Sequence, residues 1–254
     1  MKRFIIFTLF AICLLQAPYA QATTVVSFED NAVYWDGFEN TYRGGRQNSQ
    51  DVIGTPDLTG GNFIYDGHTL TGIELYYTST SRAISPGDWF FDFDQDQNWD
   101  YVLHQSVQHT RRGSYLVYNL YNVDGWGLGY GDEASWYWKW EYQESYGRGG
   151  EIRYDHPVKA LIPWWAEGEA VDFSGWDYGE VSEDSPGKSV WSGIDLDLLA
   201  FDGASFTYGF AMTCANDVLF GQSMVPAPEP STFLLLGFGG LGLLLYRRKK
   251  SRSL

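Results

Sequence analysis

Residues 69–79 read TLTGIELYYTS. Ile73, Leu75 and Tyr77 fall on one register, and Glu74, Tyr76 and Thr78 on the other. A period of two sends these sets to opposite faces of a pleated strand. The same pattern recurs in GDWFFDF (87–93), DYVLHQSV (100–107) and SYLVYNLYNV (114–123). It returns in SWYWKWEYQ (135–143), SVWSGIDLDLL (189–199) and SFTYGFAMT (205–213). Gly, Asp, Asn and Pro bound these runs, and long stretches of 3.6-residue period are missing. The pattern predicts an all-β domain, an antiparallel β-sandwich of jelly-roll type, with strands carrying Phe90, Val102, Val117 and Phe210. Residues 29–62, rich in Gly, Asn and Asp, read as a loosely structured start lying over one sheet edge.

The two ends have a different composition. Lys2 and Arg3 precede an apolar run from Phe4 to Leu15, and Ala20-Gln21-Ala22 fits the small-x-small rule of a signal peptidase. Residues 1–22 therefore read as a secretory signal helix, with the body beginning near Thr23. At the other end Pro228-Glu229-Pro230 leads into an apolar, Gly-rich stretch from Ser231 to Tyr246, then Arg247-Arg248-Lys249-Lys250. Sixteen helical residues reach roughly 24 Å, short of a hydrocarbon core of roughly 30 Å. Physics alone gives a short transmembrane helix with its basic end in the cytoplasm and the body outside.

That tripartite order resembles the PEP-CTERM sorting signal, read by membrane exosortases of Gram-negative bacteria that make extracellular polysaccharide. The resemblance covers residues 226–254. It implies a transient address: the tail parks the chain in the inner membrane, is recognised by exosortase and is then removed, and the body continues to the cell surface or matrix. An ordinary single-pass anchor is the competing reading. Two features of the body also resemble exosortase-dependent surface proteins: an Asp-rich turn followed by Trp99-Asp100-Tyr101, and FTYGFAMTCANDVLFG (206–221) just before the tail. The organisation expected is a signal (1–22), an acidic aromatic β domain (23–225) and a sorting segment (226–254).

Between Thr23 and Tyr246 ten basic residues face all 32 acidic ones, a net charge of −22. That argues against nucleic acid and anionic lipid as partners and makes divalent cations plausible ligands. Cys214 is the only cysteine outside the signal, so no disulfide can form within the body; burial as a small hydrophobe or pairing between molecules remain.

Three stretches carry candidate chemistry. In FDFDQDQNWD (91–100), Asp92, Asp94, Asp96 and Asp100 follow the 1-3-5-9 spacing of a calcium loop, with Asn98 as a further oxygen donor. Ca²⁺ takes six to eight hard oxygens, and four crowded carboxylates repel without it. Gln97 stands where such a loop has Gly, and Leu103 at the twelfth position excludes an EF-hand. A hairpin with one acidic face is the alternative. Next, the row Trp136, Trp138, Trp140 and Tyr142 shares one face of a strand, either as core or as a platform for sugar rings. Trp164-Trp165, after Pro163, are the candidates for an exposed glycan-stacking pair. Last, His68, His104, His109 and His156 form no H-E-x-x-H, and no nucleophile elbow occurs. Glu141, Glu144 and Glu180 qualify as glycosidase carboxylates only because an acidic chain always offers pairs.

The expectation is thus a non-enzymatic exported protein associated with extracellular polysaccharide, with Ca²⁺ as candidate cofactor and exosortase as transient partner. A carbohydrate-binding module and a polysaccharide-modifying hydrolase are the alternatives.

Overall fold

The computed structural model describes residues 23–33, 57–78, 85–111, 113–128, 159–175, 187–201, 203–213, 217–226 and 240. Among the described residues there are ten strands: β1 (Thr23–Phe28), β2 (Asp57–Asp66), β3 (Thr69–Thr78), β4 (Pro86–Asp92), β5 (Tyr101–Thr110), β6 (Gly113–Asn122), β7 (Glu169–Ser174), β8 (Gly187–Asp197), β9 (Ser205–Met212) and β10 (Val218–Met224). All pairings are antiparallel, and the strands form one sheet in the order β1-β2-β3-β8-β7-β6-β5-β4-β9-β10. No helix among the described residues is long and apolar enough to cross a membrane. The expected signal and sorting helices, Gly240 apart, lie outside the described residues.

The all-β antiparallel class holds, but the two-sheet sandwich does not: a single sheet curls into a nearly closed barrel. Aromatic contacts across the interior show the curling. Phe28 on β1 lies 5.2 Å from Tyr208 on β9, and Phe63 on β2 lies 5.3 Å from Phe206 on β9. These strands stand at opposite ends of the sheet order. Alternation specifies one buried face per strand, a condition that two packed sheets and one curled sheet satisfy equally.

The interior is largely aromatic. Trp89 packs against Phe210 at 4.5 Å and edge-on against Trp191 at 5.7 Å. Ile73, Leu75 and Tyr77 from the opening stretch are fully buried there, as their register requires. Each such side chain contributes roughly 1.5–3 kcal/mol by leaving water, which makes this cluster the main source of stability.

Part of the Gly-rich start is regular, contrary to expectation: residues 57–62 belong to β2. A Cβ on Gly61 would come 2.0 Å from the Glu74 carbonyl oxygen and 2.5 Å from the Phe28 ring. Glycine here marks a close approach of neighbours in a strand, not a loop.

A second apolar cluster covers the outer face of β4, β5, β9 and β10. Phe90, Val102, Ala211 and Val218 pack there with Trp99, Val123, Leu128 and Ala160. This cover explains why β4 is buried along its whole length.

Register assigns each connection to one rim of the barrel. One rim carries the start of β1, the β2–β3 turn, the β4–β5 loop, the end of β6, the start of β7 and the end of β10. The opposite rim carries the β5–β6 hairpin and the starts of β2 and β10.

Candidate functional site

The β4–β5 loop at the first rim is built around Asp92. The last residue of β4, Asp92 is fully buried and accepts the Gln95 amide at Oδ1 (2.6 Å) and the Gln97 amide at Oδ2 (3.1 Å). The loop turns through left-handed backbone at Gln95 (φ 59°) and Gln97 (φ 71°). Gln97 thus supplies the turn for which the calcium-loop pattern uses Gly. At the far side Asp100 Oδ2 accepts the Phe93 amide at 2.6 Å, and the Asp100 amide returns to the Phe91 carbonyl at 2.9 Å.

Carboxylate oxygens of Asp92, Asp94 and Asp100 lie within 4.8 Å of one another. Burial pushes the Asp100 carboxyl up to about 6; the Phe93 amide opposes this, and the charges of Asp94 and Asp92 add to it. The structure therefore brings together three of the five residues that spacing proposed. Asp96 and Asn98 stand outside this group. Asp96 accepts the Asn98 amide (2.7 Å) and its side-chain Nδ2 (3.0 Å), so the pair satisfies itself in an Asx turn. Three hard anionic oxygens suit a divalent cation, with water or carbonyl oxygens completing its shell.

A second feature is the Trp164–Trp165 turn, on the outer face beside the same rim, where Trp126 and Ile162 pack against the Phe90–Trp99 cluster. Trp164 is 95% exposed and Trp165 62% exposed. Trp165 does not stand alone: its ring lies 5.7 Å from Trp126, which follows β6. The turn is closed by the Ala166 amide on the Pro163 carbonyl at 3.0 Å. Just downstream, a Cβ on Gly168 would meet the Tyr121 ring at 2.7 Å, so the bare α-carbon lets the chain settle on that ring. Asp124, Glu167 and Glu169 beside these rings in sequence are exposed. Trp138 and Trp140, proposed as platform residues with them, lie outside the described residues. So do His156, Glu141, Glu144, Glu180, Cys214, Pro228, Glu229, Pro230, Arg247, Arg248, Lys249 and Lys250.

Sequence reasoning missed Asp88. It is fully buried and accepts the Gln105 amide at Oδ1 (2.8 Å), and at Oδ2 the Ala160 amide (2.9 Å) and His104 Nδ1–H (2.7 Å). Lys159 Nζ donates to the Gln105 carbonyl at 2.9 Å, and burial lowers its pKa against the pull of Asp88. These bonds pin the segment beginning at Lys159 onto the outer face of β4 and β5. An acid between Gly87 and Trp89 in an otherwise apolar run was the available signal. His104 thus has a structural partner, and His109, also on β5, bonds Ser114 Oγ at 2.7 Å.

A second acidic group, Asp30, Asp57 and Asp217, sits at the opposite rim. Asp217 accepts the Leu58 amide at 2.5 Å and its neighbour's, Val218, at 2.8 Å. It serves there as a tie between the starts of β2 and β10.

Comparison with known proteins is informative for the tail. No curated protein and no solved structure matches the chain. Residues 226–250 match the PEP-CTERM protein-sorting motif, which implies export, transient sorting at a membrane and recognition by exosortase.

Proposed function

We propose that the body is a non-enzymatic exported domain that associates with extracellular polysaccharide at the cell surface or in the matrix. The observation that carries this reading is the exposed Trp164–Trp165 turn backed by Trp126. Two large apolar side chains held in water by a turn cost solubility without serving the core, and aromatic faces stack on the apolar faces of sugar rings. The matched sorting motif supports export of the chain, the setting that such binding requires. The test is a glycan array probed with the protein freed of both ends. Binding to polysaccharide that is lost in Trp164→Ala/Trp165→Ala supports the reading, and hydrolysis of the bound glycan would favour the hydrolase instead.

A second reading concerns the β4–β5 loop. We infer that Asp92, Asp94 and Asp100 hold one Ca²⁺, supported by their converging oxygens. The ion would relieve repulsion in the loop and stiffen the rim beside which the tryptophan turn sits.

A further inference from the structure

The barrel receives and releases the chain at the same rim. Thr23 pairs with Asp66 at the foot of β2, and Met224 pairs with Ser205 at the foot of β9. The Val225 amide is still bonded to the Ala204 carbonyl at 2.9 Å, so the fold holds the chain up to the edge of the sorting segment. Six residues, 225–230, then separate β10 from the apolar stretch that begins at Ser231. Fully extended, they span about 20 Å at most. While residues 231–246 sit in a bilayer, this rim faces the lipid across a gap no longer than that.

The Trp164–Trp165 turn lies on the outer face beside this rim: Trp165 packs on Trp126 just after β6 ends, Trp126 packs on the outer cluster, and Glu169 opens β7 opposite Leu120. Tryptophan is the side chain that favours the headgroup layer, apolar ring on one side and indole N–H on the other. By contrast, the Arg111 hairpin and the Asp217 tie lie at the far rim. We propose that, in the tethered chain, the Trp164–Trp165 turn rests in the headgroup layer of the membrane that holds the sorting segment, and becomes free for polysaccharide only when the tail is removed. The glycan role of the turn rests on the function proposed above; the lipid contact does not. Asp94, Asp96, Asp124, Glu167 and Glu169 are exposed around the same rim. Their charge disfavours anionic lipid, so the matching surface is zwitterionic.

The experiment uses the full chain reconstituted in phosphatidylcholine vesicles whose acyl chains carry bromine near the headgroups, a short-range quencher of tryptophan fluorescence. Flotation with the vesicles is measured alongside. The expected result is quenching of the floated wild-type chain that falls by more than half in Trp164→Phe/Trp165→Phe, with the melting temperature unchanged. Equal quenching in both chains would overturn the proposal, since other tryptophans would then be those near lipid. Absence of quenching in a chain that floats would overturn it too, as would failure of the chain to float. Loss of polysaccharide binding by the soluble body, measured without vesicles, bears on the glycan reading alone.

Discussion

The Asp217 carboxylate accepts the Leu58 amide at 2.5 Å across 159 residues of sequence. No ladder joins β1 to β10 among the described residues, so this bond helps to hold the open side of the barrel together. Both groups are buried. Asp217→Ala would strand the Leu58 amide away from water, at about 1–3 kcal/mol. Urea unfolding should show that loss as a lower midpoint with an unchanged slope.

Asp88 does the corresponding work on the outer face. Its carboxylate accepts three donors, two of them backbone amides, and Asp88→Asn would turn an NH₂ group toward one of them. We expect a loss of about 2–4 kcal/mol in chemical denaturation. The asparagine oxygen keeps the two donors at Oδ2, so hydrogen exchange at the Gln105 amide, left facing the NH₂ group, should accelerate before global unfolding.

How far these features could be read from the sequence depended on which periodicity carried them. Ile73, Leu75 and Tyr77 declared their face because Glu74 and Tyr76 marked the other. β4 had no such contrast: Trp89 and Phe91 point into the barrel while Phe90 lies under the outer cover. A strand buried on both faces reads as a plain apolar run, which hid both the outer layer and Asp88. Closure was illegible for a related reason. Which strands meet across the interior depends on contacts such as Phe28 with Tyr208, and no local pattern encodes these. In the acidic loop, spacing found Asp92, Asp94 and Asp100 but also proposed Asp96, whose carboxylate is engaged by Asn98. The left-handed turns at Gln95 and Gln97 could not be foreseen, since neither residue favours them.

Calcium should stabilise the protein through that loop. Extracellular calcium modules bind at roughly 10⁻⁴ to 10⁻³ M. At about 100 times Kd the gain is roughly 2.7 kcal/mol, which for a body of this size is on the order of 5–10 °C in Tm. Asp94→Ala should abolish the rise while leaving the protein in chelator unchanged or slightly more stable, through eased repulsion. Thermal melts with chelator and with millimolar Ca²⁺ check this, and an unchanged midpoint returns the loop to a purely structural role.

Acidity should act on the same loop with a defined sign. The Asp100 carboxyl is raised from 3.8 to about 6 by burial, so the folded state binds its proton more tightly than the unfolded chain does. Its contribution to stability is therefore full below about pH 4 and is lost as pH rises through about 6. In chelator, Asp100→Asn should remove that part of the pH dependence. The difference between wild-type and variant melting temperatures, followed from pH 4 to pH 7, reads it directly.

The central claim is that the Trp164–Trp165 turn is the polysaccharide contact. The most direct measurement is affinity electrophoresis of the protein freed of both ends, in gels containing the producing cell's own extracellular polysaccharide. Trp164→Ala/Trp165→Ala is run beside wild type, with melts of both. Loss of two stacking aromatics should weaken retardation at least tenfold, about 1.4 kcal/mol or more, with Tm little changed because Trp164 is 95% exposed and Trp165 gives up its packing on Trp126. Equal retardation of the two proteins, or none of the wild type, would contradict the claim.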